Sequence, residues 1–189
     1  MTGCIEKLEQ SFDLKATWRA FPLHPDTPSE GRLLEELFNT TPEKIGLLVA
    51  GLQATAKSLG LPFGERTRSY NSRLVQELGI WAEDKGCGHK FHLSAFTAYF
   101  SDGLNLADRE VALNIAVRAG LPQTEAVEII TDRLYQERVD LDWAEAAERT
   151  VTAVPTFFFS DRRVVGAQSY ETLANLARLC KVPEKSTYR

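Results

Sequence analysis

The sequence lacks the cysteine spacing of a redox or zinc site. It has 3 cysteines among its 189 residues, Cys4, Cys87 and Cys180, which are far apart. None of them forms the Cys-x-x-Cys pair of a redox motif or of a zinc site. The odd number also excludes the disulfide framework of a small secreted domain. We therefore expect reduced thiols and a cytoplasmic protein.

Other absences narrow the choice of partners. The formal net charge is −4 and no basic stripe is visible, which argues against nucleic acid. No apolar run approaches the roughly 20 residues of a membrane helix, and the first residues lack the apolar core of a signal peptide. The composition, 43% hydrophobic and 25% charged, is typical of a globular protein with one domain, or one domain with a large insertion.

Hydrophobic periodicity predicts two α/β ends around a helical middle. Residues 3–12 predict a short amphipathic helix, and the alternation of apolar and polar residues over 14–21 predicts a strand. Prolines at positions 22, 25 and 28 end that strand. Near the other end, strands around 156–159 and 163–167 precede a helix over 170–180. The region from 29 to 150 is predicted to be helical throughout, with segments at 29–38, 41–59, 72–85, 91–100, 108–119, 124–137 and 143–149.

The most distinctive local feature is Val154-Pro155-Thr156, where a proline opens an aromatic strand. Proline cannot donate a backbone hydrogen bond, so it is confined to edges, first strand positions and bulges. An X-Pro bond is also the one peptide bond that is readily cis. Taken alone, the pattern favours a trans proline with a purely structural role.

Four segments, in order along the chain, resemble the DsbA-like branch of the thioredoxin superfamily, specifically FrnE-type proteins and 2-hydroxychromene-2-carboxylate isomerases. These segments are residues 18–25 (WRAFPLHP), 71–82 (beginning NSR), 95–106 (AFTAYF followed by GLNL) and 154–168 (VPTF followed by VGAQ). The resemblance implies an α/β, thioredoxin-like fold with a large all-helical insertion. It implies core segments 1–28 and 151–189 and an inserted helical domain at 29–150.

The resemblance also implies thiol–disulfide exchange, with Val154, Pro155 and Thr156 forming a cis-proline loop that binds the substrate backbone. Members of this family carry a Cys-Pro-Trp-Cys-type motif after a first, central strand, and this chain contains neither. We expect the functional protein to begin upstream of Met1. As written, the chain has no catalytic residues and should be redox-inactive. A chain that folds in this form would expose the edges of its sheet. Forming a homodimer is one way to cover them.

Two other functions remain open. A glutathione-assisted isomerase of the hydroxychromene-carboxylate type has a serine in place of the first cysteine. A non-catalytic module would use the same loop to bind peptides or other partners. The partner is thus a thiol or disulfide substrate, either a peptide or a small molecule, with glutathione as a possible cofactor.

Several polar residues are weaker candidates for a site. By resemblance, Arg19 and Asn71 line a substrate cleft, as His24 and Arg73 could; capping and loop fixation are the alternative roles. Cys87, His89 and His92 are spaced so that they could bind a metal, but no fourth ligand is evident and a helix–helix turn is the expected role. Cys4 is expected to pack rather than to react. Glu145 and Glu148 are expected to lie on a solvated face.

Overall fold

The computed structural model describes residues 2–185 and divides into two compact units. Unit 1 comprises Met1–Leu23 and Asp142–Arg189, and unit 2 comprises His24–Leu141. The boundary at 141/142 falls inside a helix, α8 (Gln136–Glu148). The domain limits expected from the sequence, 28/29 and 150/151, stay a prediction.

Unit 1 is built from two helices, the last part of α8 and a hairpin. Helix α1 spans Thr2–Ser11 and α9 spans Tyr170–Leu179. Strands β3 (Thr156–Phe159) and β4 (Arg162–Val165) pair antiparallel, with Phe157 opposite Val164. Ser169 caps α9 by accepting a hydrogen bond from the Thr172 N–H, as serine does at helix N-termini.

The core of unit 1 forms where the two helices and one hairpin face meet. Side chains two apart on a strand share a face, so one face of the hairpin is apolar and covers the helices. Five fully or almost fully buried side chains form this core, namely Leu8, Phe12, Leu173, Ala174 and Ala177, with Phe157, Phe159 and Val164 packed against them.

The last described residues of unit 1 return to the end of α1. The Asp13 N–H donates to the Pro183 carbonyl at 2.8 Å, and the Lys185 N–H donates to the Ser11 carbonyl at 2.9 Å. The hydroxyl of Tyr170 donates to Ser11 Oγ at 2.9 Å. The two sequence segments of unit 1 are therefore tied by main-chain as well as side-chain bonds.

Unit 2 is mainly helical. Its helices are α2 (Leu34–Leu37), α3 (Pro42–Ser58), α4 (Arg73–Asp84), α5 (Gly88–Phe96), α6 (Arg109–Arg118), α7 (Gln123–Asp132) and the first part of α8, with a π-helical turn over Thr97–Ser101. Two short strands, β1 (Arg32–Leu33) and β2 (Arg68–Ser69), pair antiparallel. Thr41 caps α3 and Pro42 occupies its first turn, as expected from a proline that needs no N–H donor there.

The largest core of the chain lies among α4, α5, α6 and α7. Trp81, Leu78, Phe91 and Ile115 are almost completely buried at its centre. A second, smaller cluster of Leu34, Ile45 and Val49 joins α2 to α3. Among the helices of residues 2–185, none combines the length and the apolar character that a membrane crossing demands.

The structure corrects two predictions. Residues 14–21 alternate between half-buried and exposed, but no strand of residues 2–185 pairs with them, so the predicted strand is wrong. Alternating apolar and polar residues indicate which side chains face a core. A β-strand needs in addition a neighbouring strand with which its main chain forms hydrogen bonds. Residues 29–150 are not helical throughout, because β1 and β2 interrupt them and the predicted helix at 29–38 is reduced to α2.

Candidate functional site

The Val154–Pro155 peptide bond is cis and opens strand β3. The Thr156 hydroxyl donates to the Ala153 carbonyl at 2.6 Å, and the Gly166 N–H donates to the Pro155 carbonyl at 2.8 Å. The side chain of Val154 is 47% exposed. The predicted residues Val154, Pro155 and Thr156 thus form one braced turn whose first residue faces solvent.

The edge of β3 opposite β4 carries main-chain N–H and C=O groups that form no hydrogen bond with β4. Hydrogen-bonded and non-bonded pairs alternate along an antiparallel ladder. Since Pro155 is bonded to Gly166, the register makes Phe157 and Phe159 the next bonded residues. Thr156 and Phe158 therefore direct their N–H and C=O groups away from β4. Within residues 2–185 the sheet has two strands, so this edge stays open.

The hairpin face opposite the core is braced by arginines. Arg163 Nη1 donates to the main-chain carbonyls of Arg149 at 3.3 Å and of Thr150 at 3.2 Å. The Arg149 guanidinium lies 4.8 Å from the ring centroid of Phe158, within the range of a cation–π contact. These contacts hold the hairpin, and with it the cis-proline turn, to the end of α8.

Arg19 contacts carboxylates of α8. Its Nη1 lies 3.0 Å from Asp142 Oδ1 and its Nε lies 3.7 Å from Glu145 Oε2. The second oxygen of Asp142 accepts from the Ala20 N–H at 2.8 Å. Asp142 is 5% exposed, so it fixes the extended segment around Arg19 and Ala20. The Arg19 side chain itself remains 62% exposed.

Asn71 belongs to unit 2, where its carboxamide fixes a loop. Its Nδ2 donates to the Thr27 carbonyl at 2.9 Å, and its Oδ1 accepts from the Arg73 N–H at 2.9 Å. The second bond satisfies an otherwise orphan N–H at the start of α4. The structure therefore shows the capping and fixing contacts of Asn71, while a substrate contact stays a prediction. Arg19 and the cis-proline turn both belong to unit 1.

The cysteines and His92 have neighbours within their own units. Cys4 packs against the core of unit 1 and Cys87 against that of unit 2, and all three thiols are free. His92 Nε2 lies 3.1 Å from Glu83 Oε1. Burial lowers the pKa of His92 although Glu83 opposes the shift. Among residues 2–185 no group of three potential metal ligands is gathered.

Sequence reasoning missed three positioning side chains. Asp142 was not singled out, and its neighbour Glu145, expected on a solvated face, pairs with Arg149 at 2.9 Å. Glu77 is 1% exposed between two arginines, and Arg163 braces the hairpin. Each contacts residues distant along the chain, and local periodicity does not reveal such partners. The one available sign was a charged residue at an apolar position of a helix, as Glu77 is.

In unit 1 a hairpin opened by a cis proline packs on two helices, and the helical unit 2 interrupts unit 1 in sequence. This arrangement defines a thioredoxin-like protein of the DsbA type. Comparison of sequences agrees: the profile of the DSBA-like thioredoxin domain matches residues 3–177. The chain belongs to the DSBA-like thioredoxin domain family. The expected thioredoxin-like fold with a helical insertion is thereby confirmed.

Individual relatives support the same assignment. The chain is 25% identical over 168 residues to the uncharacterized protein YwbO of Bacillus subtilis, covering 87% of this chain and 82% of YwbO. A probable DsbA oxidoreductase from Streptomyces coelicolor superposes with a TM-score of 0.79 at 23% identity, over 86% of this chain and 74% of that one. A 2-hydroxychromene-2-carboxylate isomerase superposes with a TM-score of 0.69 at 21% identity, over 95% and 88%. At these identities the two structures show the fold alone.

Proposed function

We propose that the chain serves thiol–disulfide chemistry by binding an extended thiol or disulfide substrate at the cis-proline turn. The observation that carries this proposal is the turn itself, with an exposed residue before the proline and an open strand edge after it. Val154 and Thr156 would bind the substrate main chain, as an added strand binds a sheet edge. Arg19 would hold the extended segment of unit 1 that it shares with Ala20, and the proposed location is the cytoplasm.

The chain is proposed to bind rather than to carry out electron transfer by itself. A redox site needs a thiolate beside a resolving thiol. The three cysteines lie far apart in sequence, and the Cys180 thiol donates to the carbonyl of Phe159, at the opposite end of β3 from the turn. An insulin-reduction assay on the 189-residue chain should therefore show no turnover above the uncatalysed rate of dithiothreitol. Turnover that Cys4→Ser abolishes would contradict the proposal, because Cys4 would then take part in the reaction. Turnover that persists in a variant lacking all three cysteines would involve no thiol of this chain and would contradict the proposal less.

Binding is tested by mapping backbone amides by NMR while a ligand is added. Two probes are compared: a short extended peptide containing one disulfide, and reduced glutathione. We expect the amide resonances of Val154 and Thr156 to shift with at least one probe. Shifts with glutathione alone would favour the isomerase-like alternative, and shifts confined to other parts of the chain would refute the site.

A matched pair of variants tests the role of the main chain. Val154→Pro removes the N–H donor that we propose for the substrate, whereas Val154→Ala keeps that donor and loses only side-chain surface. We expect Val154→Pro to weaken binding of the responding probe by tenfold or more and Val154→Ala by much less. Equal losses in the two variants, with unchanged circular dichroism, would show that the main chain is not the recognition element.

A further inference from the structure

A small pocket of about 60 Å³ lies in unit 2. It is lined by the segment that leads into and out of strand β2 and by the π-helical turn, through residues Glu65, Arg66, Thr67, Arg68, Tyr70, Tyr99 and Gly103. A buried water needs about 10–15 Å³ of such space. The pocket therefore has room for a few waters or for one compact polar group.

Two guanidinium groups of this pocket have no carboxylate partner. Arg66 and Arg68 are two positions apart in the chain, and both line the pocket. Neither forms an ion pair within residues 2–185, and in this they resemble Arg32 and Arg109 of the same unit; Arg73, Arg118, Arg133 and Arg138 do form ion pairs. Arg68 Nη1 instead donates to the Gly31 carbonyl at 3.3 Å. Two half-buried positive charges with only neutral partners make the pocket attractive to an anion.

The aromatic rings of Tyr99 and Phe100 hold Arg66 in place before any ligand binds. The Arg66 guanidinium lies 4.2 Å from the ring centroid of Tyr99 and 5.1 Å from that of Phe100. Its Nη2 donates to the Tyr99 hydroxyl oxygen. Since that oxygen accepts, the Tyr99 hydroxyl hydrogen is left to donate, either to Ser69 Oγ at 3.2 Å or into the pocket. A pre-positioned guanidinium loses less side-chain entropy on binding.

The π-helical turn is what brings Tyr99 to this place. π-helical segments are rare and often occur at functional sites. Here the turn also presents the Phe100 carbonyl to the Gly64 N–H at 2.8 Å, which fixes the loop that carries Glu65 and Arg66 against it. The exposed Glu65 is the one acid in the lining, so its charge opposes anion binding.

We propose that this pocket binds a small oxyanion group, a carboxylate or a phosphate, through Arg66, Arg68 and the Tyr99 hydroxyl. Guanidinium groups match both anions in geometry, and the volume admits one such group rather than a whole substrate. The proposal is independent of the proposed function at the cis-proline turn, and its failure would leave that function untouched.

The test is calorimetric titration of the full 189-residue chain with sodium phosphate and, separately, with sodium acetate, at constant ionic strength. We expect saturable binding of at least one anion at one site. Arg66→Gln and Arg68→Gln should each weaken it by tenfold or more, because each removes a charge-assisted hydrogen bond. Glu65→Gln should tighten it severalfold.

Arg162→Gln, on the hairpin of unit 1, removes the same charge elsewhere and should leave the affinity within twofold. A response to phosphate alone or to acetate alone would identify the anion class that the pocket takes. Absence of saturable binding to both anions, or equal losses in Arg68→Gln and Arg162→Gln, would overturn the proposal. If Arg66→Gln alters the circular dichroism spectrum, Arg68→Gln and Glu65→Gln decide the outcome.

Discussion

The buried carboxylate of Glu77 offers the sharpest test of how unit 2 is held together. It lies on α4 and is 1% exposed. Its Oε1 is 3.0 Å from Arg73 Nε, and its Oε2 is 2.9 Å from Arg133 Nε. Arg133 ends α7 in a left-handed conformation, with φ of 53°. One carboxylate thus joins the start of α4 to the end of α7.

Replacing Glu77 with Gln should destabilise the chain by about 3 kcal/mol. Breaking a buried ion pair by removing one partner costs roughly 3–5 kcal/mol, because the other charge is left without compensation. The Gln amide nitrogen would also face arginine donors. The lower end of that range applies here because the Arg133 side chain is 40% exposed and can turn to water. Set against a typical total stability of about 5–15 kcal/mol, this is a large loss.

The measurement is urea unfolding of the full chain followed by far-UV circular dichroism. Asp140→Asn is the matched control, because Asp140 Oδ1 contacts the same Arg73 at 2.7 Å but its side chain is 54% exposed. An exposed pair is worth up to about 1 kcal/mol, so the control midpoint should shift little. Two results would refute burial as the cause of the loss in stability. One is an equal effect of the two variants; the other is a Glu77→Gln loss below about 1 kcal/mol with an unchanged dependence of the unfolding free energy on urea concentration.

Two further predictions concern backbone space and pH. A Cβ on Gly64 would lie 2.2 Å from the Ser101 carbonyl oxygen, whereas one on Gly51 would meet nothing within 4 Å. Gly64→Ala should therefore lower the free energy of unfolding measured in urea by about 1–3 kcal/mol. Gly51→Ala, inside α3, should raise it by about 0.5–1 kcal/mol. A change of the same sign in both variants would contradict this prediction. Burial lowers the pKa of His92 below 6.5 in the fold, so its contribution to stability is full above pH 6.5 and is lost as pH falls towards the folded-state pKa. His92→Gln should flatten the decline in stability below pH 6.5, and an unchanged slope would count against it.

Local sequence rules predicted several helix ends of the helical unit, although the predicted break between 137 and 143 lies inside α8 (Gln136–Glu148). The Thr41–Pro42 start of α3 and the glycines at 60, 86 and 120, all at positive φ, follow from chemistry contained within a few residues. The same rules could not find β1 and β2, because two-residue strands show no periodicity. They also predicted a strand at 14–21 from alternation alone, although a ladder depends on a partner elsewhere in the chain.

The proposed site likewise contains one feature that the sequence predicted and others that it did not. The strand-opening proline was visible in the sequence because proline restricts its own backbone. The groups that brace its surroundings were not: Asp142 contacts Ala20 across 122 positions, and Arg163 contacts main-chain carbonyls that any residue could supply. Polar residues selected by resemblance, such as Asn71, turned out to have defined hydrogen bonds within their own unit.

The closure of unit 1 by its distant segments has a consequence for the order of folding. Unit 2 is one continuous stretch, so its contacts can form as soon as residue 141 has left the ribosome. Unit 1 must wait for bonds such as Tyr170–Ser11 and Lys185–Glu9, which span 159 and 176 positions. Closing such loops carries an entropic cost that grows slowly with length, and a prefolded unit 2 would shorten the effective loop. During synthesis, α1 therefore stays without its core partner α9 until Tyr170–Leu179 has also been made, and its apolar face is exposed to chaperones in the meantime.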